Sequence, residues 1–268
     1  AFKFLLPPLP EQRAIARALR AVQAARETRL REIALERERK AALMEHLFTH
    51  GTRGEPTKMT EIGEMPESWE IVKLGEVVRS TQYGLSVRGN SEGCYPILRM
   101  NCLVDGYANG SDLQYVDLDE ADFLKFKLNK GDILFNRTNS SDLVGKTGLF
   151  NMEEDYVFAS YLIRITVNEN RLSSAFLNYY TNMNSIQIRL RMLASRGVSQ
   201  SNINAAKLRG FIIPLPLLTE QKIIADTIKA CDHLIFALES ETQILDELFR
   251  AMLEELMTGR LRAGALVS

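Results

Sequence analysis

The sequence predicts an α+β fold in which one globular domain is flanked by two long coiled-coil helices. Three observations predict it. An uninterrupted heptad of mostly apolar residues runs through the last fifth of the chain. An internal repeat, offset by 209 residues, places a similar helix start near the N-terminus. Between the two lie short β-type runs separated by Gly- and Asn-rich turns. The expected boundaries are a first helical region at 1–52, a domain at 53–213 and a second helical region at 214–268.

The repeat aligns Phe2–Gln12 with Phe211–Gln221. Each copy has an apolar entry, a proline-rich turn, a Glu-Gln pair and then Ile-Ala one turn later (Ile15-Ala16, Ile224-Ala225). Proline suits the approach to a helix, and Glu in the first turn complements the helix dipole. In the second copy Ile224, Ile228, Cys231, Ile235, Leu238, Thr242, Leu245, Phe249, Met252 and Leu256 alternate spacings of four and three, the seam of a coiled coil. The first helix is less regular. Ile15, Leu19 and Val22 open a stripe that Leu30, Ile33, Ala41, Met44 and Phe48 continue, with Arg26 and Arg37 interrupting it. Residues 11–50 carry nine basic and six acidic side chains, residues 220–258 three and nine. Opposite charge favours the two helices as mutual partners, each exposed pair adding little.

After the linker Gly51–Pro56, strand signals fall at Glu70–Leu74, Tyr95–Met100, Asp132–Arg137, Val157–Ala159, Leu162–Val167 and Gly210–Ile213. An amphipathic helix is expected from Ser173, its cap, to Ala194. Charge in this domain is uneven. Six acids lie between Asp105 and Asp122, whereas 170–210 has none but contains six Lys or Arg. An acid-free basic stretch suits a phosphate-facing surface. Two polar clusters sharpen that reading, Phe135–Ser141 with nearby Lys146, and Ser195–Asn204. A weaker one is Arg99-Met100-Asn101. Arg matches guanine and Asn or Gln matches adenine bidentately, while Ser, Thr and Lys are common phosphate contacts. The candidate DNA-contacting residues are therefore Arg99, Asn101, Arg137, Thr138, Asn139, Ser140, Lys146, Arg189, Arg196, Ser199, Gln200, Asn202 and Asn204.

Other classes of function find no support. Gly145-Lys146-Thr147 lacks the glycine a phosphate-binding loop requires five residues earlier, where Ser140 stands. No dinucleotide fingerprint, zinc-protease pattern or adenine-methyltransferase Asn/Asp-Pro-Pro-aromatic motif occurs in its required context. His46 and His50 share a helix face, without the Glu a zinc protease needs. The three widely spaced cysteines fit reduced thiols and a cytoplasmic protein, and no apolar run reaches membrane-span length. No catalytic and no metal-ligating residue is assigned.

The Glu-Gln repeat, together with Gly63–Val77, Lys130–Arg137, Val144–Thr147 and Gln200–Ile203, resembles the specificity subunits of Type I restriction-modification systems. The resemblance covers nearly the whole chain. It implies a target recognition domain that reads one half of a bipartite site on double-stranded DNA, flanked by two long antiparallel coiled-coil helices that dock methyltransferase subunits. It implies no cofactor in this chain; S-adenosylmethionine would belong to the methyltransferase partner, and translocation and cleavage to the restriction subunit. The order that the resemblance implies is domain, helix, domain, helix, and this sequence matches its helix, domain, helix part. The expectation is a truncated or cleaved product, or a half-subunit forming a homodimer. The alternative is a helical scaffold that docks partners without intact DNA specificity.

Overall fold

The computed structural model describes residues 7–140, 142–196 and 201–262. Its helices are α1 (Leu9–His50), α2 (Glu120–Phe126), α3 (Ser174–Asn182), α4 (Asn184–Met192), α5 (Ala205–Arg209) and α6 (Leu218–Met257). The chain divides into two compact units, one of residues 43–227 and one made by the rest of α1 and α6. Among the described residues no helix is long and apolar enough to cross a membrane.

In the helical unit α1 and α6 run antiparallel. Moving from Arg26 to Lys40 on α1 moves the ion-pair partner from Asp246 back to Asp232 on α6, fourteen residues in each case. The α6 heptad is the observed seam: Ile228, Cys231, Ile235, Leu238, Thr242 and Leu256 are buried, and Leu245, Phe249 and Met252 are half-buried. Its α1 counterpart differs from the expected stripe. Leu30 is 43% exposed and Ala41 is exposed. The less exposed residues keep a strict heptad through Ile15, Leu19, Val22, Arg26, Arg29 and Ile33, so Arg26 occupies the seam rather than breaking it.

Charge pairing makes this possible. Arg26 pairs with Asp246, Arg29 Nε with Glu241 at 2.7 Å, Arg37 with Glu239 at 2.6 Å, and Lys40 with Asp232. The long Arg stems cover apolar surface while their heads reach acids on the facing helix. Apolar contacts lie to either side of the two seam arginines, Ala14 and Ile15 against Leu256 on one side and Ile33 against Ile235 and Leu238 on the other.

In the unit of residues 43–227 a six-stranded sheet has the order Val78–Tyr83, Leu162–Val167, Ile133–Asn136, Thr147–Leu149, Tyr107–Ala108, Leu103–Val104. All neighbours are antiparallel except Thr147–Leu149 and Tyr107–Ala108. Ile133, Leu134 and Phe135 are fully buried, as expected of a central strand covered on both faces. Tyr95–Leu98 forms a second sheet with Val157–Phe158 and Gln114–Val116. Phe158 packs there with Leu98, Phe150 and Leu162. The expected final strand is Ile212–Leu215, paired with Glu70–Lys73.

The single helix expected over 173–194 is two. Ser173 caps α3 as expected, accepting from Phe176 N–H, but Met183 is extended (φ −63°, ψ 142°). Buried amides explain the break. Asn182 Nδ2 donates to Thr147 Oγ1 at 2.7 Å, and Thr147 Oγ1 also reaches Asn178 and Thr181. Gln187 Nε2 donates to the Thr181 carbonyl at 2.6 Å, the acceptor that a continuous helix would have offered to residue 185. Residues 178–187 thus trade helical hydrogen bonds for bonds that tie the helices to the sheet.

The repeated Glu-Gln pair has a geometric meaning. Gln221 Nε2 donates to Pro216 O at 2.8 Å, and Gln12 Nε2 donates to Pro7 O at 2.7 Å, so the glutamine closes the same five-residue turn in both copies. In the second copy it does more. Gln221 is fully buried, donates also to Arg171 O, and accepts from Ser173 N–H at 2.7 Å. Its neighbour Glu220, 1% exposed, accepts from Thr52 N–H and Oγ1 just beyond the end of α1. Gly51 makes that turn with φ 66°, and a Cβ there would stand 2.8 Å from Glu220 Oε1.

At the start of the central strand Asp132 is nearly buried, and burial raises its carboxyl above the ordinary value against the opposing pull of Asn129 N–H, the Thr166 hydroxyl and Arg164.

Three expectations follow. Gln221→Leu leaves one N–H and two carbonyls without their partner and lowers stability by about 3 kcal/mol in urea unfolding, whereas Gln12→Leu costs about 1 kcal/mol or less. In double-mutant cycles Lys40–Asp232, with side chains 19% and 15% exposed, shows stronger coupling than Arg26–Asp246, at 38% each. Because the folded Asp132 carboxyl binds its proton more readily than the unfolded one, its favourable contribution is present below the unfolded pKa and is lost as pH rises through the folded pKa. Relative to Asp132→Asn, the wild type therefore loses stability as pH rises across the acidic range, measured by urea unfolding at a series of pH values.

Candidate nucleic-acid interface

The two polar clusters stand about sixty residues apart in sequence and meet in the fold. Thr138–Asn139 pairs antiparallel with Ser201–Asn202, and Ser195–Arg196 pairs with the other edge of Ser201–Asn202. Ile203 N–H donates to Arg137 O at 2.9 Å. The resulting three-stranded sheet continues directly from one end of the six-stranded sheet, because the central strand Ile133–Asn136 runs into Arg137 and Thr138.

Register places more residues at that end. Asn136 pairs with Leu162, and Ile163 pairs with Tyr83, so Tyr83, Arg137 and Tyr161 cluster where three strands stop or start. Arg137 N–H donates to Tyr161 O at 3.0 Å. Asn136 N–H donates to Lys146 O at 2.8 Å, which brings the exposed Lys146 beside the same edge. Gly84 permits the close approach that follows Tyr83, since a Cβ there would stand 2.4 Å from the carbonyl oxygens of Phe158 and Ala159.

Arg137 is the half-buried hub. Its Nη1 donates to Ser160 O and its Nη2 to Asn202 Oδ1, both at 3.2 Å. Asn202 Nδ2 donates in turn to Thr138 Oγ1 at 2.8 Å. The guanidinium lies over the Tyr83 ring, 4.8 Å from its centroid. Tyr83 Oη accepts from Ala205 N–H at 2.8 Å, and Asn204 caps α5 by accepting from Lys207 N–H. Asn139 and Ser140 lie at the rim, with Asn139 Oδ1 accepting from Ser140 N–H.

The remaining candidates fall elsewhere. Arg99 and Asn101 both engage Asp112, the arginine by an ion pair of 3.0 Å. Arg189 donates to Tyr180 Oη at 3.0 Å, stacks on Phe211 and reaches Ile212 O, which packs α4 on the final strand. Burial pushes the Tyr180 hydroxyl up to about 12, with Arg189 pulling the other way. Arg196 belongs to the small sheet by its backbone. Ser199 and Gln200 lie outside the described residues. Sequence reasoning missed Tyr83, Tyr161 and Ser160; an aromatic residue just before a glycine, as in Tyr83-Gly84, was the only local signal.

Comparison with known proteins decides the family. The sequence model described as the Type I restriction modification DNA specificity domain matches residues 66–249. The chain belongs to the Type I restriction-modification specificity family. A Type I restriction enzyme specificity subunit of Methanocaldococcus jannaschii, MjaVIII, is 30% identical over 273 residues, 98% of this chain and 63% of that relative. A second relative in the same organism, carrying the MjaX name, is 32% identical over 204 residues, 75% of this chain and 48% of its own length. This specificity-family chain thus spans from about half to under two thirds of those relatives. The S subunit from M. genitalium has a similar fold, with a TM-score of 0.61 at 14% identity over 93% of this chain and 61% of that one. The HsdS subunit from Thermoanaerobacter tengcongensis gives 0.53 at 21% identity over 96% and 60%. These likenesses agree with the α+β fold and the long coiled-coil helices of this specificity-family chain.

Asn202→Leu leaves the Thr138 hydroxyl and one Arg137 donor unpaired, and is expected to cost about 1–3 kcal/mol in urea unfolding. Arg99→Ala removes only a part-exposed pair to Asp112 and is expected to cost about 1 kcal/mol or less.

Proposed function

We propose that this chain is a sequence-specific reader of double-stranded DNA that serves one half of a bipartite site in a Type I restriction-modification complex. The observation that carries the reading is the pairing of the two polar clusters into one small sheet around Arg137. It groups Arg, Asn, Thr and Ser side chains on a rigid strand end, where base edges are read by fixed forks and amides. Lys146 and the rim hydroxyl of Ser140 supply phosphate contacts that set orientation without choosing sequence. Arg137 and Asn139 supply the base contacts.

The α1–α6 pair docks methyltransferase subunits, and the restriction subunit joins through the assembled complex. S-adenosylmethionine and adenine methylation belong to the methyltransferase partner, and this chain carries no chemical step. One recognition unit covers one half-site, so the second half comes from another recognition unit, a second copy of this chain in a homodimer being one source.

Binding-site selection from a random duplex pool tests the reading, and a single enriched half-site is expected. Arg137→Ala is expected to lower affinity for that site by about 1–3 kcal/mol and relax the choice at one base pair. Lys146→Ala is expected to weaken all sequences alike and to reduce the slope of log affinity against log salt by about 1. A pool that enriches no motif, with methyltransferase subunits still bound, would identify the chain as a helical scaffold instead.

A further inference from the structure

We propose that Tyr83 is a positioning residue for base choice, holding Arg137 in one pose so that its remaining donors select guanine. The proposal rests on the reading that the Arg137 strand end is where DNA is read.

A guanidinium carries five N–H donors in a plane, and its value as a reader depends on how firmly that plane is held. Two in-plane acceptors fix Arg137, Ser160 O on Nη1 and Asn202 Oδ1 on Nη2. The orientation of the Asn202 amide is itself set, because its Nδ2 donates to Thr138 Oγ1. Hydrogen bonds in the plane leave the arginine able to tilt out of it. The Tyr83 ring closes that freedom by lying against the guanidinium face at 4.8 Å. The ring is held by its hydroxyl on Ala205 N–H at 2.8 Å, so it is a fixed platform although 42% of the residue is exposed.

The donor count then points to the ligand. Nε is buried and has no acceptor, and one hydrogen on each terminal nitrogen is engaged. One N–H remains on Nη1 and one on Nη2. Guanine offers O6 and N7 as a matching pair of acceptors on its major-groove edge, whereas adenine offers N7 beside a donor amine. No carboxylate among the described residues pairs with Arg137, unlike Arg99 on Asp112 or Arg164 near Asp132. Its charge is balanced by neutral carbonyl oxygens and a π face, which leaves it suited to an electron-rich base edge.

The test uses the full chain and the duplex that it enriches from a random pool. Affinity is measured for that duplex, for the four base pairs at the position relaxed by Arg137→Ala, and for an unrelated duplex. Tyr83→Ala is expected to cut guanine preference at that one position by about tenfold, with the unrelated duplex and the other positions unchanged. Tyr83→Phe, which keeps the ring and loses the Ala205 bond, retains most of the preference. Where Tyr83→Ala unfolds, Tyr83→Leu keeps part of the apolar packing without a π face and is expected to show the same loss. Equal weakening on every sequence overturns the proposal, since it would make Tyr83 a general contact or a packing residue. A position that prefers a base other than guanine, or a guanine preference that survives both ring-deleting variants, also overturns it while leaving DNA reading intact. A wild type that enriches no motif overturns both.

Discussion

A fully buried glutamine organises much of this molecule. Gln221 cannot exchange its hydrogen bonds with water, so its amide must find every partner within the protein. It does so by joining the proline turn before α6 to the segment 171–173 that caps α3. The placement of α3 follows, with Phe176 packed between Phe48 and Trp69. From α3 the buried Asn178 and Thr181 and the half-buried Asn182 hold Thr147, and Thr147 pairs with Phe135 on the central strand. Two residues further along that strand is Arg137. The position of Arg137 is thus fixed by a chain of satisfied polar groups rather than by apolar packing alone. Such networks set geometry well because a partly broken one is costly.

The helical unit follows a different logic. Its seam places Arg26 and Arg29 where a coiled coil normally carries apolar side chains, and acids from the facing helix answer them. Individually such pairs are weak at the surface. Their effect is on register, since a slip of one heptad would set Arg29 against Leu234 or Leu248 in place of Glu241. Charge therefore favours the observed offset, while the cohesion comes from the apolar contacts around Ile15 and Ile33.

The amphipathic pattern of α6 was legible because a period of 3.5 residues over ten positions has no other interpretation, and each of those positions is buried or half-buried. The α1 seam was harder to read because it hides arginine, and hydrophobicity alone assigned Leu30 to it. The break at Met183 left no local mark. No proline or glycine stands there, and the cause is a set of amides whose partners lie on a strand some 35 residues earlier. For the candidate site, residue type pointed to Arg137, Thr138, Asn139, Asn202 and Asn204, because forked and amide side chains match base edges, although the same groups also cap turns, as Asn204 does at α5. The same reasoning included Arg99, which pairs with Asp112, and Arg189, which packs on Tyr180 and Phe211.

By itself the sequence determined the two helix starts, the heptad, the central strand and the two polar clusters, all of which depend on spacing along the chain. Only the tertiary structure decided that the two clusters are neighbouring strands, that Tyr83 lies beneath Arg137, and that Gln221 holds the cap of α3. Those contacts join residues separated by roughly 50 to 65 positions. They arise because backbone and side-chain polar groups must be satisfied across strands whose pairing no local pattern encodes.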